Sequence, residues 1–187
     1  MRIIAGTARS ILLVKLSGKD IRPTPERVRE SIFNILIPQL DETTVFLDLF
    51  TGTGVNALEA LSRGAKQAIL VDSASESLNI ARKNAQKTKL ENQCRFVRGA
   101  IPNKLDYIAK NFLPATIVFA DPPYAYPDYP GLLEALSIPN LLAPDALVLI
   151  EHDNRHTLTE QVLNLQQYRV QTYGSTNISF YKNVPDS

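Results

Sequence analysis

From Val45 to Tyr181 the chain alternates short β-branched or apolar runs with stretches of helical periodicity. The runs Val45–Leu49, Ala68–Asp72, Cys94–Val97, Thr116–Ala120, Ala146–Ile150, Tyr168–Tyr173 and Ile178–Tyr181 each read as a strand. Helices are predicted near Asn56–Arg63, Ser75–Lys87, Asn103–Asn111, Gly131–Ser137 and Thr157–Leu163. Alternation of this kind needs right-handed crossovers, so the expected fold is α/β and Rossmann-like, with a mostly parallel seven-stranded sheet. Only Gly174–Asn177 separate the last two runs, too few for a crossover, and the final strand is expected to run antiparallel to its predecessor.

The opening residues follow another pattern. Arg2–Ala5 and Ile11–Lys15 can pair as an N-terminal hairpin across Gly6–Arg9. Thr24 before Pro25 signals an N-cap and a first helical turn. Val28, Ile32, Ile35 and Leu36 then make one apolar helical face, and Pro38 ends it. The expected division is an appendage of hairpin and helix over 1–44 docked on one domain over 45–187.

Composition changes this picture in two ways. With 44% hydrophobic and 21% charged residues the chain is ordinary for a globular protein, and no run approaches the ~18 apolar residues of a membrane helix. Cys94 is single, so no internal disulfide and no thiolate zinc cluster can form; the N-terminus lacks a secretory pattern, and a cytoplasmic location without metal is expected. The net charge of +1 hides two basic blocks: residues 1–30 hold seven Lys/Arg against three Asp/Glu, and residues 82–110 hold eight against two. Such blocks can contact phosphates, or they can be solvated helix faces; Lys83, Lys87 and Lys89 stay open between the two.

Candidate chemistry begins where Val45–Leu49 runs into Phe50-Thr-Gly52-Thr-Gly54 at the start of a helix. Gly52 and Gly54 permit a tight turn and close approach of a ligand, and the helix N-terminus offers free N–H groups. A second strand ends in Asp72, where a carboxylate can accept from a ribose diol. NAD and S-adenosylmethionine both suit this arrangement, and Gly52–Ala57 fits the dinucleotide fingerprint. Asp48 tips the choice towards S-adenosylmethionine, since an acid there meets a cationic methionine moiety and repels a pyrophosphate.

Asp121-Pro122-Pro123-Tyr124 follows the apolar strand Thr116–Ala120, at the strand end where open α/β sheets bind substrates. Two prolines fix the backbone and remove two donors. What remains is a rigid rim of acceptors, the Asp121 carboxylate and the Pro122 carbonyl, suited to the two N–H groups of an exocyclic base amine. The charge of Asp121 also stabilises positive charge arriving on nitrogen, and Tyr124 can stack on the base. Guanine presents N1–H beside its 2-amino group, whereas adenine and cytosine place a ring acceptor there, so an acid leans towards guanine N2. His152 and His156 have helical metal spacing, but the intervening Asp-Asn reads as a turn after a strand. Tyr126 and Tyr129 either extend the stacking surface or pack.

Asp48-Leu-Phe50-Thr-Gly52-Thr-Gly54 and Asp121–Tyr124 resemble the two motifs of amino-group methyltransferases. With Arg2-Ile-Ile-Ala-Gly6, Ile21-Arg-Pro-Thr-Pro-Glu-Arg-Val-Arg-Glu-Ser-Ile-Phe-Asn34 and Leu58-Glu-Ala-Leu-Ser-Arg-Gly-Ala65, nearly the whole chain is similar to RsmD-type 16S rRNA (guanine-N2) methyltransferases. The resemblance implies a class I fold, S-adenosylmethionine as cofactor, and small-subunit ribosomal RNA or the assembling 30S particle as partner. It puts the cofactor on Asp48, Phe50, Thr51, Gly52, Gly54, Asp72 and Ser73, and the target amine on Asp121, Pro122, Pro123 and Tyr124. Arg22, Thr24, Arg27 and Asn34 fall on the RNA side; no metal and no membrane are implied, and a monomer is expected. Two departures stand out: Val97-Arg-Gly-Ala100 lacks the acid that usually faces the adenine, and the hairpin tip is Arg9-Ser-Ile11 in place of Arg-Gly-Arg. Competing readings are an amino methyltransferase acting on DNA adenine or a protein glutamine, an NAD-dependent oxidoreductase, and a non-catalytic RNA-binding assembly factor.

Overall fold

A computed structural model describes residues 1–16, 25–123 and 126–184. Strands β1 (Val45–Leu49), β2 (Gln67–Asp72), β3 (Cys94–Arg98), β4 (Ala115–Ala120) and β5 (Leu142–Asp153) run parallel, while β6 (Gln161–Val162), β7 (Leu165–Tyr173) and β8 (Thr176–Asn183) are joined antiparallel. The order across the sheet is β3-β2-β1-β4-β5-β8-β7-β6. Helices α1 (Glu26–Leu36), α2 (Val55–Ser62), α3 (Ser75–Thr88), α4 (Leu105–Asn111) and α5 (Tyr129–Leu136) complete the described elements of regular length.

Both faces of the sheet are covered, which is why its central strands are apolar at every position instead of alternating. Phe46, Leu70, Phe119 and Leu149 point to one face, where α1, α2 and α3 supply Phe33, Leu36, Leu58, Ala81 and Ala85. Leu47, Val71, Val118 and Val148 point to the other, where α4 and α5 supply Ile108, Leu132 and Leu136. By the same alternation Asp48, Asp121 and Glu151 all belong to the α1 side, at the carboxyl ends of β1, β4 and β5.

Three expectations are corrected. The segment Thr157–Leu163 is not a helix: Gln161 and Val162 pair with Gln166 and Leu165, and the chain reverses through Leu163 at φ 50°. Leu158, Val162 and Leu165 have the spacing of a helical face, yet a hairpin buries the same three side chains under α5. The sheet thus has eight strands, with β8 inserted between β5 and β7. The N-terminal helix starts at Glu26 with Pro25 as N-cap, and no side chain caps it.

The N-terminal hairpin forms: Arg2 bridges Leu12, Ile3 N donates to Ile11 O at 3.1 Å, Leu13 N to Met1 O at 3.1 Å and Ser10 N to Ile3 O at 2.9 Å. Donors of its first arm and its tip also reach α2. The Glu59 carboxylate accepts from Ile4 N at 2.8 Å, Ala5 N at 3.1 Å and Arg63 Nε at 2.8 Å. Ser62 takes Thr7 N at 2.8 Å on its carbonyl and Ala8 N at 2.9 Å on its hydroxyl. Gly6 lies so close that a Cβ there would sit 1.7 Å from Ser62 O, so only glycine fits. Arg29, 1% exposed, lies 3.9 Å from Glu59 and donates to Arg2 O at 2.6 Å, tying α1 to the same segment.

Candidate active site

The turn after β1 is wired by its own residues. Thr51 Oγ1 donates to Asp48 Oδ2 at 2.5 Å, and Ala57 N in the first turn of α2 donates to the same oxygen at 3.3 Å. Phe50, Gly52 and Gly54 have φ of 60°, 55° and 78°; for Phe50 this is a strained conformation. Asp72, at the end of β2, accepts from Gly52 N on Oδ2 and from Ala74 N on Oδ1, both at 2.9 Å. Asp72 therefore braces the glycine turn, and it stays partly exposed beside Ser73 at the rim. The residues that the sequence assigns to the cofactor, Asp48, Phe50, Thr51, Gly52, Gly54, Asp72 and Ser73, are thus brought together around one strand-end turn. Leu16 of the N-terminal segment lies against the turn, its side chain 3.8 Å from the position of a Gly52 Cβ.

Asp48 is 1% exposed, and burial raises its pKa to about 7 despite the two donors; the nearby Asp72 charge adds to the rise. Asp121 N reaches Leu49 O at 3.4 Å, which seats the Asp-Pro-Pro corner against the end of β1. Asp121 is partly exposed as a residue, its carboxyl is densely surrounded by protein, and no hydrogen bond reaches that carboxyl among the described residues. Burial foremost, then the Glu151 and Asp48 carboxylates, hold it protonated well above the usual carboxylate range.

Glu151 was not singled out from the sequence. Register explains its place: Ala120 of β4 lies beside Ile150 of β5, so the next residues, Asp121 and Glu151, emerge together on one face. A charged residue at the carboxyl end of a predicted parallel strand was the signal available.

Next to this acidic corner runs a line of rings. Phe50 meets Tyr126 edge-on with centroids 5.6 Å apart, and Tyr126 meets Tyr129 at the same distance. Tyr129 is buried in the α5 core and touches both His152 and His156, so it packs, while Tyr126 stays half-buried and bridges to Phe50. His152 Nε2 is 2.8 Å from Ser179 Oγ, as befits a buried, satisfied histidine, and no metal-binding cluster occurs among the described residues. Pro122 is buried and Pro123 exposed beside it; Arg27 lines a shallow depression with Arg2 and Arg9, and Asn34 is exposed on α1. Arg22, Thr24 and Tyr124 lie outside the described residues.

A parallel sheet ordered 3-2-1-4-5, with an antiparallel strand inserted before the penultimate edge, is the class I methyltransferase fold; a dinucleotide-binding sheet would continue parallel. The chain belongs to the family described as Conserved hypothetical protein 95, whose model matches residues 1–182. That membership, with the relatives below, bears out the RsmD-type resemblance. Ribosomal RNA small subunit methyltransferase D of Escherichia coli is 32% identical over 191 residues, covering 97% of this chain and 89% of the relative. The namesake from Haemophilus influenzae is 31% identical over 187 residues, 98% and 94% of the two chains. The solved structure of Escherichia coli yhhF superposes with a TM-score of 0.84 at 30% identity over 98% of each chain. An RNA methyltransferase from Salinibacter ruber, solved with S-adenosyl-L-homocysteine, shares the fold at TM-score 0.64 and 19% identity, over 89% of this chain and 96% of the other.

Proposed function

We propose that this protein methylates ribosomal RNA with S-adenosylmethionine, and that its target is the exocyclic N2 amino group of a guanine in small-subunit (16S) rRNA. The observation that carries this reading is the Asp121 corner: a rigid acid with no hydrogen-bond donor among the described residues, seated against the strand end that holds the glycine turn. The residues around that turn fit the cofactor chemically. Gly52 leaves open backbone, Asp72 keeps lone pairs for a ribose diol, and two buried acids suit a cation. When bound, S-adenosylmethionine supplies a methyl group already activated on a sulfonium.

The chain's own residues then do three things. Asp121 and the Pro122 carbonyl accept from the two amine N–H groups and turn the nitrogen lone pair out of the ring. Asp121 opposes the positive charge that develops on nitrogen and takes the proton released there. Its raised proton affinity makes it a capable acceptor once a neighbouring cation has favoured the ionised form. Phe50 and Tyr126 pack edge-on, and the reading gives Tyr124, which lies outside the described residues, the role of stacking on the base. On the RNA side the reading uses Arg27 and Asn34, both exposed on α1, together with Arg22 and Thr24.

The assembling 30S particle is the natural form of this substrate, and the cytoplasm its location. No helix among the described residues is long and apolar enough to cross a membrane. Incubating the protein with methyl-labelled cofactor and small-subunit RNA or 30S particles from cells lacking it tests the reading. Label should enter the 16S rRNA; label that stays in the cofactor pool would refute it.

A further inference from the structure

The two basic blocks are far apart in sequence, and the fold stitches them together. Asn84 of α3 accepts from Val14 N at 2.7 Å and donates from Nδ2 to Val14 O at 3.0 Å. Lys15, the next residue, is exposed, and so are Lys83 and Lys87 on either side of Asn84. Arg82 of the same helix lies 4.7 Å over the Phe96 ring of β3, and Arg95 and Arg98 are exposed on that edge strand. None of these six cations pairs with an acid among the described residues. Elsewhere Arg2, Arg29, Arg63, Arg155 and Lys182 are ion-paired, so cations without an acid partner are concentrated on, though not confined to, this face.

An ordinary solvated face intersperses the two signs. Here Lys83 and Lys87 stand four apart on one helix, an arrangement of like charges that costs helix stability. The rest of the chain has the other balance, since residues 111–187 hold eight acids against three bases, and Lys182 and Arg155 there are neutralised by Asp145 and Asp153. A molecule polarised in this way presents one edge to a polyanion and turns the other away.

We propose that the face made by Lys15, α3 and β3 is the surface on which the phosphate backbone of the RNA lies during methylation. The inference rests on the RNA-methylating reading and adds an orientation to it. The RNA crosses the N-terminal segment where Leu16 lies against the glycine turn, and the β5–β8 edge, whose Arg155 and Lys182 are ion-paired, stays off the RNA track. The contacts are to phosphates, so they position the RNA without reading its sequence.

The test is the paired substitution Lys83→Glu with Lys87→Glu, compared with Lys83→Arg with Lys87→Arg and with Lys182→Glu on the opposite edge. Affinity for a 16S rRNA transcript is measured by fluorescence anisotropy across a salt series of about 50–200 mM, beside S-adenosylhomocysteine affinity as a check of folding. The Glu pair should weaken RNA binding at least ~10-fold at the low-salt end and flatten the log–log salt slope by about 2. The Arg pair and Lys182→Glu should bind RNA like the parent, and all variants should keep cofactor affinity. An unchanged affinity and slope in the Glu pair, or an equal loss in Lys182→Glu, would overturn the proposal. So would loss of binding to phosphatidylglycerol vesicles with RNA affinity intact. If the parent binds the transcript in this charge-dependent way yet methylates nothing, the surface stands and the proposed chemistry falls.

Discussion

Asp48 and Asp121 lie near the carboxyl ends of two neighbouring parallel strands on one face of the sheet, Asp48 inside β1 and Asp121 just past β4, and their surroundings differ. Asp48 is followed by a turn that supplies its donors, Thr51 Oγ1 and Ala57 N, and it is closed from solvent. Asp121 lies in a turn whose two prolines supply none, among acids, with part of its surface open. One acid is bonded by the turn that follows it; the other is left without a donor among the described residues. The difference lies in the residues that follow each acid, Thr51 and Ala57 in one case and two prolines in the other.

The largest expected effect comes from Asp121→Ala. Turnover should fall about 10²–10³-fold, as for loss of one preorganised electrostatic group. S-adenosylhomocysteine affinity and melting temperature should hold or rise, because a buried acid with no bonded donor contributes little to folding. A melting temperature that drops instead would make Asp121 a second structural acid and erase the contrast.

Asp48 should show itself in stability. Its folded pKa of about 7 lies above the ordinary 3.8, so the buried group favours folding fully below about pH 4 and loses that contribution as pH rises through 7. The loss is at most about 4 kcal/mol for the ligand-free protein. Asp48→Asn keeps an acceptor for Thr51 and Ala57, so urea unfolding at pH 8 should find it more stable than the parent, with the difference gone at pH 4. Equal stability at both pH values would mean that the buried carboxyl is not strained by ionisation.

Thr51→Val removes one donor to Asp48 and should cost about 1–2 kcal/mol, measurable in the same unfolding experiment. The smallest effect is expected from Glu151→Gln. Removing a negative neighbour makes Asp121 more acidic, so the acidic limb of the turnover–pH profile should move to lower pH, with Asp48 and Tyr129 still facing the group. A purely structural role for Glu151 would lower the rate without moving the limb.

Much of this was legible in the sequence because it is locally encoded. β1 coincides with the apolar run Val45–Leu49, and β2, β3 and β4 match their runs to within a residue or so, since buried parallel strands are continuous apolar runs. The glycine turn and the Asp-Pro-Pro corner are short motifs whose geometry follows from residue type. What escaped depends on contacts between distant segments. Leu158, Val162 and Leu165 look alike on a helix and on a hairpin, and only pairing under α5 decides between them. Glu151 acquires meaning from the β4–β5 register, and the docking of the N-terminal hairpin on Glu59 and Ser62 is invisible without α2 beside it. The full engagement of one Asp48 oxygen by its own turn also needed coordinates, because the direction of the Thr51 hydroxyl is not written in the motif.

The most direct test of the central claim is mass spectrometry of nucleosides from 16S rRNA methylated by the purified protein. An acid rim that accepts from adjacent guanine donors predicts N2-methylguanosine as the new nucleoside, absent when Asp121→Ala is used. N6-methyladenosine, or a product formed equally well by Asp121→Ala, would contradict it.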